Sequence, residues 1–346
     1  MKIGEKILNW YNKNKRDLPW RETKDPYKIW VSEIIFQQTR INQGYDYYLK
    51  FIIKFSDIYC LAKADEIEVL KAWEGLGYYS RARNMHFTAK YIVENLNGKF
   101  PNSFDELLKL KGVGKYTAVA IASICYNEPV AVVDGNVVRV ISRLFAINTP
   151  QNKIKNTIEF EANKMLVNSN PCDFNQGIMD LGAMICKPSN PDCISCPINS
   201  NCKALKLNQV SNFPIKAKKT EKKKRFFNYV FFVNNNNVYV KKRTQNDIWK
   251  SLYEPFLYES GKKITAKDFE KYLTDKFSTK IVLRQNMKLK HKLSHQEIYG
   301  SLFIANIFEL KAIADVMECV PINEISKYPF SKLVNNYIEI EFQKLI

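Results

Sequence analysis

Four cysteines in the middle of the chain have the types and spacing of a metal or cluster site. They are Cys186, Cys193, Cys196 and Cys202, and only Cys193 and Cys196 form a Cys-x-x-Cys step. Four thiolates in one short loop suit either a tetrahedral zinc ion or an iron–sulfur cluster. Because zinc ribbons usually use two separated Cys-x-x-Cys steps, the spacing favours an iron–sulfur cluster, with zinc and purely structural cysteines as alternatives.

The other four cysteines have no such spacing. Cys60, Cys125, Cys172 and Cys319 are scattered among apolar residues, which is typical of small buried side chains. The N-terminus lacks a secretory signal, and no run of 18 apolar residues occurs that would span a membrane. We therefore expect no disulfide framework, no membrane association and a cytoplasmic location.

Two carboxylates are placed where they could do chemistry. Glu33 lies in an apolar stretch, so burial would raise its pKa and keep it protonated as a proton donor. Asp134 follows an apolar run and precedes Gly-Asn, as a helix N-cap does. One proton donor and one charge stabiliser are the minimum for cleaving a glycosidic bond. The plainer interpretations are an acid on a polar stripe and a cap without catalytic function.

A glycine turn offers an anion site. Gly112 and Gly114 precede a helix of small residues, and free amides at a helix start can hold a phosphate. The net charge of +18 attracts polyanions, and counterion release drives nucleic-acid binding. No basic amphipathic helix indicates a membrane surface instead.

The apolar period divides the chain into two domains. Residues 1–205 have helical spacing, residues 206–225 form a basic and exposed linker, and residues 226–346 have strand periodicity. The second domain is predicted to be α+β, opening with a hairpin around an Asn-rich turn. Its other predicted elements are a helix at Ala266–Phe277, strands near 281–283 and 302–310, and a helix at 331–344.

These features occur together with longer segments, at residues 16–21, 26–39, 75–84, 110–121, 133–136 and 180–186. In this order the chain resembles the helix–hairpin–helix DNA glycosylases, and among them the MutY-type adenine DNA glycosylases. The resemblance implies a mainly α glycosylase domain, a [4Fe–4S] cluster in the loop 186–202, and a Nudix-like C-terminal domain. It also implies a monomer that removes adenine mispaired with 8-oxoguanine or guanine in duplex DNA.

The resemblance assigns the chemistry to four residues. Glu33 would protonate the adenine ring and later handle water, and Asp134 would face the developing sugar cation. Asn136 would orient Asp134. Tyr116 stands where endonuclease III-type relatives carry a lysine that forms a Schiff base, and a phenol cannot form that imine.

It also assigns residues that hold the DNA. The adenine must leave the base stack to reach the acids, so some residues receive it and others fill the gap. The pocket positions are Leu18, Trp20, Arg21 and Gln176, and the positions that enter the duplex beside the lesion are Gln37, Gln38 and Tyr78, with Thr39 in the same motif.

In the C-terminal domain the resemblance is looser. Ser294 and His295 match the loop that reads 8-oxoguanine, but Leu293 stands where that loop normally has phenylalanine. Residues 249–256 resemble a variant of another family segment. A Nudix catalytic box is absent from the sequence, so we do not expect nucleotide hydrolysis.

Two other functions compete with this one. An endonuclease III-like glycosylase and lyase is disfavoured by Tyr116 and by the extra domain. A non-enzymatic iron–sulfur protein that binds DNA or senses redox state would not need Glu33 and Asp134, which are both present.

Overall fold

The computed structural model describes residues 1–166, 170–216, 221–307 and 311–342. The chain folds into two compact units. The first contains residues 1–63 and 84–219, and the second contains residues 64–83 and 220–346. Each unit is therefore built from two segments of the chain, and a short piece of the helical region belongs to the second unit.

The helical region has the architecture that its apolar spacing predicts. Its helices are α1 (Ile3–Asn14), α2 (Pro26–Ile35), α3 (Ile41–Lys54), α4 (Ile58–Lys63), α5 (Glu66–Ala72), α6 (Ser80–Leu96), α7 (Phe104–Leu108), α8 (Lys115–Tyr126), α9 (Gly135–Phe145), α10 (Lys155–Leu166), α11 (Pro171–Asp180) and α12 (Lys203–Lys206). A π-helical turn, Leu181–Ile185, continues α11. Within the described part of the chain, no helix is both long and apolar enough to cross a bilayer.

Helix α8 lies at the centre of the first unit. It is buried from Thr117 to Ile124 and packs against α2, α7 and α11. Its alanines, Ala118, Ala120 and Ala122, are fully buried, and their small side chains let neighbouring helices approach closely. This packing brings Glu33 on α2 and Tyr116 on α8 to one cavity.

The predicted glycine turn joins α7 to α8. Gly112 has φ of +81°, and a Cβ there would lie 2.5 Å from the Cβ of Asn84, so a side chain is excluded on both counts. Gly114 is the N-cap of α8 with φ of −84°, and a Cβ there would meet no atom within 4 Å. The start of α8 is thus open.

The second unit is a mixed sheet with helices on both faces. In its described residues the strands are β1 (Lys223–Asn234), β2 (Asn237–Lys242), β3 (Tyr253–Glu254), β4 (Phe256–Ser260), β5 (Arg284–Lys292), β6 (Gln296–Asn306) and β7 (Glu318–Pro321). The main order is β3-β2-β1-β6-β5, β4 pairs with β1, and β7 pairs with β2. The predicted hairpin is present, with Asn234 opposite Asn237, whereas β1 and β6 run parallel.

Both faces of β1 are apolar. Phe227, Tyr229 and Phe231 pack on the side of helix α15 (Lys332–Glu341), together with Ile67 of α5. Val230 and Phe232 pack on the side of helix α13 (Ala266–Phe277), which has the predicted bounds. A short helix α14 (Lys311–Ala314) precedes β7.

Several elements begin or end at other residues than the periodicity predicts. Strand β1 begins at Lys223, inside the predicted linker, because the charged Arg225 is buried by ion pairs rather than exposed. The segment 281–283 is not a strand, since Ile281 packs against α13 and β5 starts at Arg284. Parts of the predicted linker (217–220), of the strand at 302–310 (308–310) and of the last helix (343–344) lie outside the described residues.

Candidate active site

One cavity of about 770 Å³ in the first unit gathers all four predicted catalytic residues and several of the predicted DNA-binding residues. It lies between the segment before α2, the segment after it, and the starts of α8 and α9. The predicted residues that line it are Leu18, Trp20, Arg21, Glu33, Gln38, Thr39, Tyr116, Asp134 and Asn136. They are joined by Arg16, Phe36, Arg40, Ile41, Asn42, Gln43, Met179 and Ala183, and no lysine is among these lining residues.

Glu33 has the protonation behaviour that an acid needs. It lies on α2, a helix capped by Asp25, whose side chain accepts the amide of Tyr27. Burial raises the pKa of Glu33 to about 7, and the charge on Asp134 adds to this, while the Tyr116 hydroxyl and Arg21 act in the other direction. A fraction of the Glu33 carboxyl groups is therefore protonated at neutral pH.

Asp134 is the N-cap of α9, as predicted. Its Oδ1 accepts a hydrogen bond from the amide of Val137 at 2.7 Å, and its Oδ2 accepts one from Asn136 Nδ2 at 2.8 Å. Burial raises the pKa of Asp134 above its ordinary value, although these hydrogen bonds favour the charged form and oppose the shift. A carboxylate at a helix N-terminus also interacts favourably with the helix dipole.

Asn136 is itself held from its other end. Arg139 Nη2 donates to Asn136 Oδ1 at 2.8 Å and to the carbonyl of Gly182 at 2.7 Å. Arg139 Nε donates to the carbonyl of Cys186 at 2.7 Å. A chain of hydrogen bonds therefore runs from Asp134 to the backbone of the cysteine loop.

Tyr116 lies on the first turn of α8 and faces Glu33. Its hydroxyl lies 3.6 Å from Met179 Sδ. Burial raises the pKa of Tyr116 well above 10, and the nearby charges of Glu33 and Asp134 raise it further. The phenol therefore stays neutral and serves as a hydrogen-bond donor.

Two guanidinium groups at the wall of the cavity share one buried carboxylate. Asp180 is fully buried and accepts hydrogen bonds from Arg16 and from both Nη atoms of Arg21, the latter at 2.7 and 2.8 Å. Burial disfavours its charge, but the two arginines outweigh this and lower its pKa. The pair geometry fixes the direction in which Arg21 points.

The apolar wall of the cavity is aromatic. The ring of Trp20 lies 4.4 Å from that of Phe36 and 5.0 Å from that of Tyr48, and Leu18 is buried beside it. Flat apolar walls of this kind suit a planar ring.

Gln176 and Gln37 were predicted to contact the adenine or the duplex, but they do not line this cavity. Gln176 is buried, where it accepts from the Tyr11 hydroxyl at 3.0 Å, so the side chain is turned into the interior. Gln37 lies just after the end of α2, and its Nε2 donates to Thr117 Oγ1 at 3.1 Å. Both are anchored to other side chains behind the cavity wall.

The four cysteines predicted as ligands line one cavity together. Arg143 also lines it, and its Nη1 lies 3.3 Å from Cys186 Sγ and 2.8 Å from the carbonyl of Lys187. Burial raises the pKa of Cys196 to about 11 and raises those of Cys193 and Cys202. In the described residues no group of three or more His, Cys, Asp or Glu side chains is arranged to hold a metal ion directly.

A second cavity, of about 440 Å³, belongs to the second unit. It contains Tyr78 from the helical sequence and Ser294 and His295 from the turn between β5 and β6. Trp249 and His291 form another wall, with ring centroids 5.8 Å apart. The structure thus brings three predicted lesion-contacting residues together, but in a different unit from Glu33.

Sequence reasoning gave no role to Arg16, Arg139, Met179 or Asp180. Arg16 and Asp180 stand in motifs that carried the resemblance, so their position was a usable signal, whereas Arg139 lies just beyond the segment 133–136. Met179 has no such signal, because its place at the cavity depends on the turn of α11.

Both parts of the chain match families of known proteins. The HhH-GPD superfamily of base excision DNA repair proteins matches residues 31–164, and the NUDIX domain matches residues 228–339. A thermostable thymine-DNA glycosylase of solved structure is 32% identical with a TM-score of 0.54, covering 59% of this chain and 95% of its own. An endonuclease III in a non-covalent DNA complex, 21% identical with a TM-score of 0.50 over 59% of this chain and 94% of its own, shares the fold.

One relative extends the match through both units. The adenine DNA glycosylase of Buchnera aphidicola subsp. Baizongia pistaciae (strain Bp) is 38% identical over 300 residues, which are 85% of this chain and 83% of that protein. The predicted fold class, a helical glycosylase domain with a Nudix-like domain, is confirmed. The chain belongs to the adenine DNA glycosylase family within the HhH-GPD superfamily of base excision DNA repair proteins.

Proposed function

We propose that this glycosylase hydrolyses the N-glycosidic bond of adenine mispaired with 8-oxoguanine or guanine in duplex DNA, without a Schiff base. The observation that carries the proposal is the shared cavity of Glu33, Asp134 and Tyr116, which contains two carboxylates but no lysine among its lining residues. Two carboxylates supply the acid and the charge that glycosidic cleavage needs.

Glu33 acts as the acid. Adenine is a poor leaving group as an anion, so protonating its ring before or during bond cleavage lowers the barrier. With a pKa of about 7, Glu33 is protonated in a large fraction of the molecules and can donate its proton to adenine. The carboxylate that remains can then act as the base that activates water. Its position among apolar neighbours on α2 produces that pKa.

Asp134 stabilises the sugar. As the base leaves, positive charge develops on the deoxyribose, and a fixed carboxylate favours that state over the neutral substrate. The amide of Val137 and the side chain of Asn136 hold both oxygens of Asp134 in place. Little reorganisation is then required when the charge appears.

Tyr116 excludes the lyase route. A Schiff base requires an amine that attacks the sugar carbon, and the phenol of Tyr116 offers none. The product is accordingly an intact strand with an abasic site. An endonuclease III-like reaction has the fold similarity in its favour, but it lacks its nucleophile at this position.

The adenine enters the cavity after leaving the base stack. Trp20 and Leu18 pack against the faces of the adenine ring. Arg21, which Asp180 holds in place, donates hydrogen bonds to the edge of the ring. Gln38 and Thr39 stand at the same cavity and face the duplex. The open helix start after Gly112 and Gly114 and the strong positive charge suit the DNA backbone.

The opposite base is read in the second unit. Ser294 and His295 are exposed polar residues at a tight turn, and they share a cavity with Tyr78. Hydrogen-bonding groups there can contact the atoms that distinguish 8-oxoguanine from guanine, with Tyr78 beside the lesion. Specificity then arises as a difference between two affinities.

The cysteine loop holds a [4Fe–4S] cluster. The four thiols line one cavity, and their spacing in the sequence, with a single Cys-x-x-Cys step, favours a cluster over zinc. Cys186, Cys193, Cys196 and Cys202 are the ligands, and Arg143 donates to the sulfur of Cys186. When bound, the cluster closes the loop and supplies positive charge that keeps the thiolates deprotonated.

Adenine release should be measured under single-turnover conditions on matched duplexes. The substrates carry adenine opposite 8-oxoguanine, guanine, cytosine or thymine, and one further duplex carries thymine opposite guanine. We expect release of adenine opposite 8-oxoguanine and guanine, with strand breaks only after alkali. Release of thymine, or preference for adenine opposite thymine, would contradict the proposal.

A further inference from the structure

The turn before α6 has an unusual backbone. Gly75, Gly77 and Tyr78 have φ of 94°, 70° and 48°. A bulky residue such as tyrosine adopts the left-handed conformation only where its surroundings impose it. The side chain of Tyr78 is 47% exposed, so its own packing does not impose this conformation.

Arg81 ties the turn together. Its Nη2 donates to the carbonyls of Leu76 and Gly77, each at 3.2 Å, and its backbone amide donates to the carbonyl of Tyr78 at 2.9 Å. Trp73 Nε1 reaches the same carbonyl of Gly77 at 3.1 Å. Hydrogen bonds from these donors thereby hold the carbonyls of three successive residues.

Arg81 also contacts the ring of Tyr78 itself. Its guanidinium carbon lies 5.5 Å from the centre of that ring and 5.3 Å from the centre of the Trp73 ring, both within cation–π range. Trp73 is fully buried, so it anchors the guanidinium. Burial lowers the pKa of Arg81 to about 10, and it therefore remains charged at neutral pH.

We propose that Arg81 is a positioning residue that presets Tyr78 and thereby contributes to discrimination of the base opposite adenine. The inference rests on the proposed function, in which Tyr78 enters the duplex beside that base. Tyr78 lines the cavity of Ser294 and His295, whereas Arg81 is not among its lining residues. Arg81 therefore acts through Tyr78, because a ring held in its bound orientation loses less freedom on binding.

The test is a double-mutant cycle with Arg81→Met, Tyr78→Leu and both changes together. Adenine release is measured opposite 8-oxoguanine and opposite guanine. We expect Arg81→Met to lower the ratio of the two rates about tenfold, and the double variant to match Tyr78→Leu, since residues that act as one unit are not additive. Arg81→Lys should also lower the ratio, because it keeps the charge but loses the planar fork.

Lys90→Met is the matched control, since Lys90 is exposed on the same helix and loses the same charge. Equal losses on both duplexes, additive effects in the double variant, or an unchanged ratio in either single variant would overturn the role of Arg81. If Arg81→Met does not fold, Arg81→Lys with Tyr78→Leu provides the same cycle. Failure of the wild type to release adenine would instead reject the proposed function.

Discussion

Asn136 Nδ2 lies 2.8 Å from Asp134 Oδ2, while Arg139 holds the other end of the Asn136 amide at the same distance. The amide is therefore fixed in one orientation, with its nitrogen toward the carboxylate. Asp134 receives a directed hydrogen bond from a side chain that cannot easily rotate away.

We expect Asn136→Leu to slow adenine release about ten- to hundredfold, since small misplacements of a catalytic group have effects of that order. The variant removes the donor but keeps a similar volume. Single-turnover rates and duplex affinity should be measured together, with Asn95→Leu at an exposed position of α6 as control. Unchanged release would mean that Val137 alone orients Asp134.

The pKa of Glu33 predicts the pH dependence of the chemical step. The acid must be protonated, so the rate should be high below pH 7 and should fall as the pH rises through about 7. The Glu33→Gln variant should release adenine about 10²- to 10⁴-fold more slowly, and its rate should show no such inflection with pH. An inflection that persists in Glu33→Gln would assign the titration to another group.

The same shift predicts an effect on stability. Because the pKa of Glu33 is raised from 4.5 to about 7 in the folded state, the folded protein binds more protons between these values. Stability from this group is present below pH 4.5 and is lost as the pH rises through about 7. Glu33→Gln should therefore melt higher than the wild type at pH 8 but not at pH 4, as calorimetry at both values would show.

Tyr116 predicts the outcome of borohydride trapping. The wild type should give no covalent adduct with substrate DNA, because a phenol forms no imine. Tyr116→Lys places an amine in the cavity and should yield some trapped adduct and strand scission. Adducts with the wild type, once an N-terminal amine is excluded by blocking it, would contradict the assignment.

The four cysteines of the loop predict the iron and sulfide content of the protein. Purified protein should be yellow-brown and contain about four iron atoms and four sulfides per chain. Cys196→Ser should reduce DNA binding and thermal stability more than the chemical step at saturating enzyme. Cys172→Ser, at a partly buried cysteine outside the loop, is the control. One zinc per chain and no sulfide would identify the alternative site.

Much of this arrangement could be predicted from local sequence. The cap at Asp134, the glycine turn at Gly112 and helix α13 follow from short-range backbone chemistry, and the structure has each of them. Glu33 was singled out because an acid is unusual in an apolar stretch, and its raised pKa has that cause.

Other features depend on contacts between distant residues. Arg225 looked like part of an exposed basic linker, but Asp247 and Glu259 neutralise it and let β1 start earlier. Gln176 matched a pocket position, yet the hydroxyl of Tyr11 turns it inward. No periodicity encodes such pairs, because each partner is remote in the chain.

The segment 64–83 belongs to the second unit although it is synthesised long before the rest of that unit. Ile67 packs against the core that contains Phe330, and Glu74 and Tyr79 bond to the backbone of Phe330. At roughly 5–20 residues per second, a ribosome needs tens of seconds to deliver those partners. Until then the apolar side of the segment 64–83 stays exposed on the nascent chain, where chaperones and proteases can bind it. Substitutions that delay folding of the last third of the chain would then lengthen the exposure of the segment that carries Tyr78.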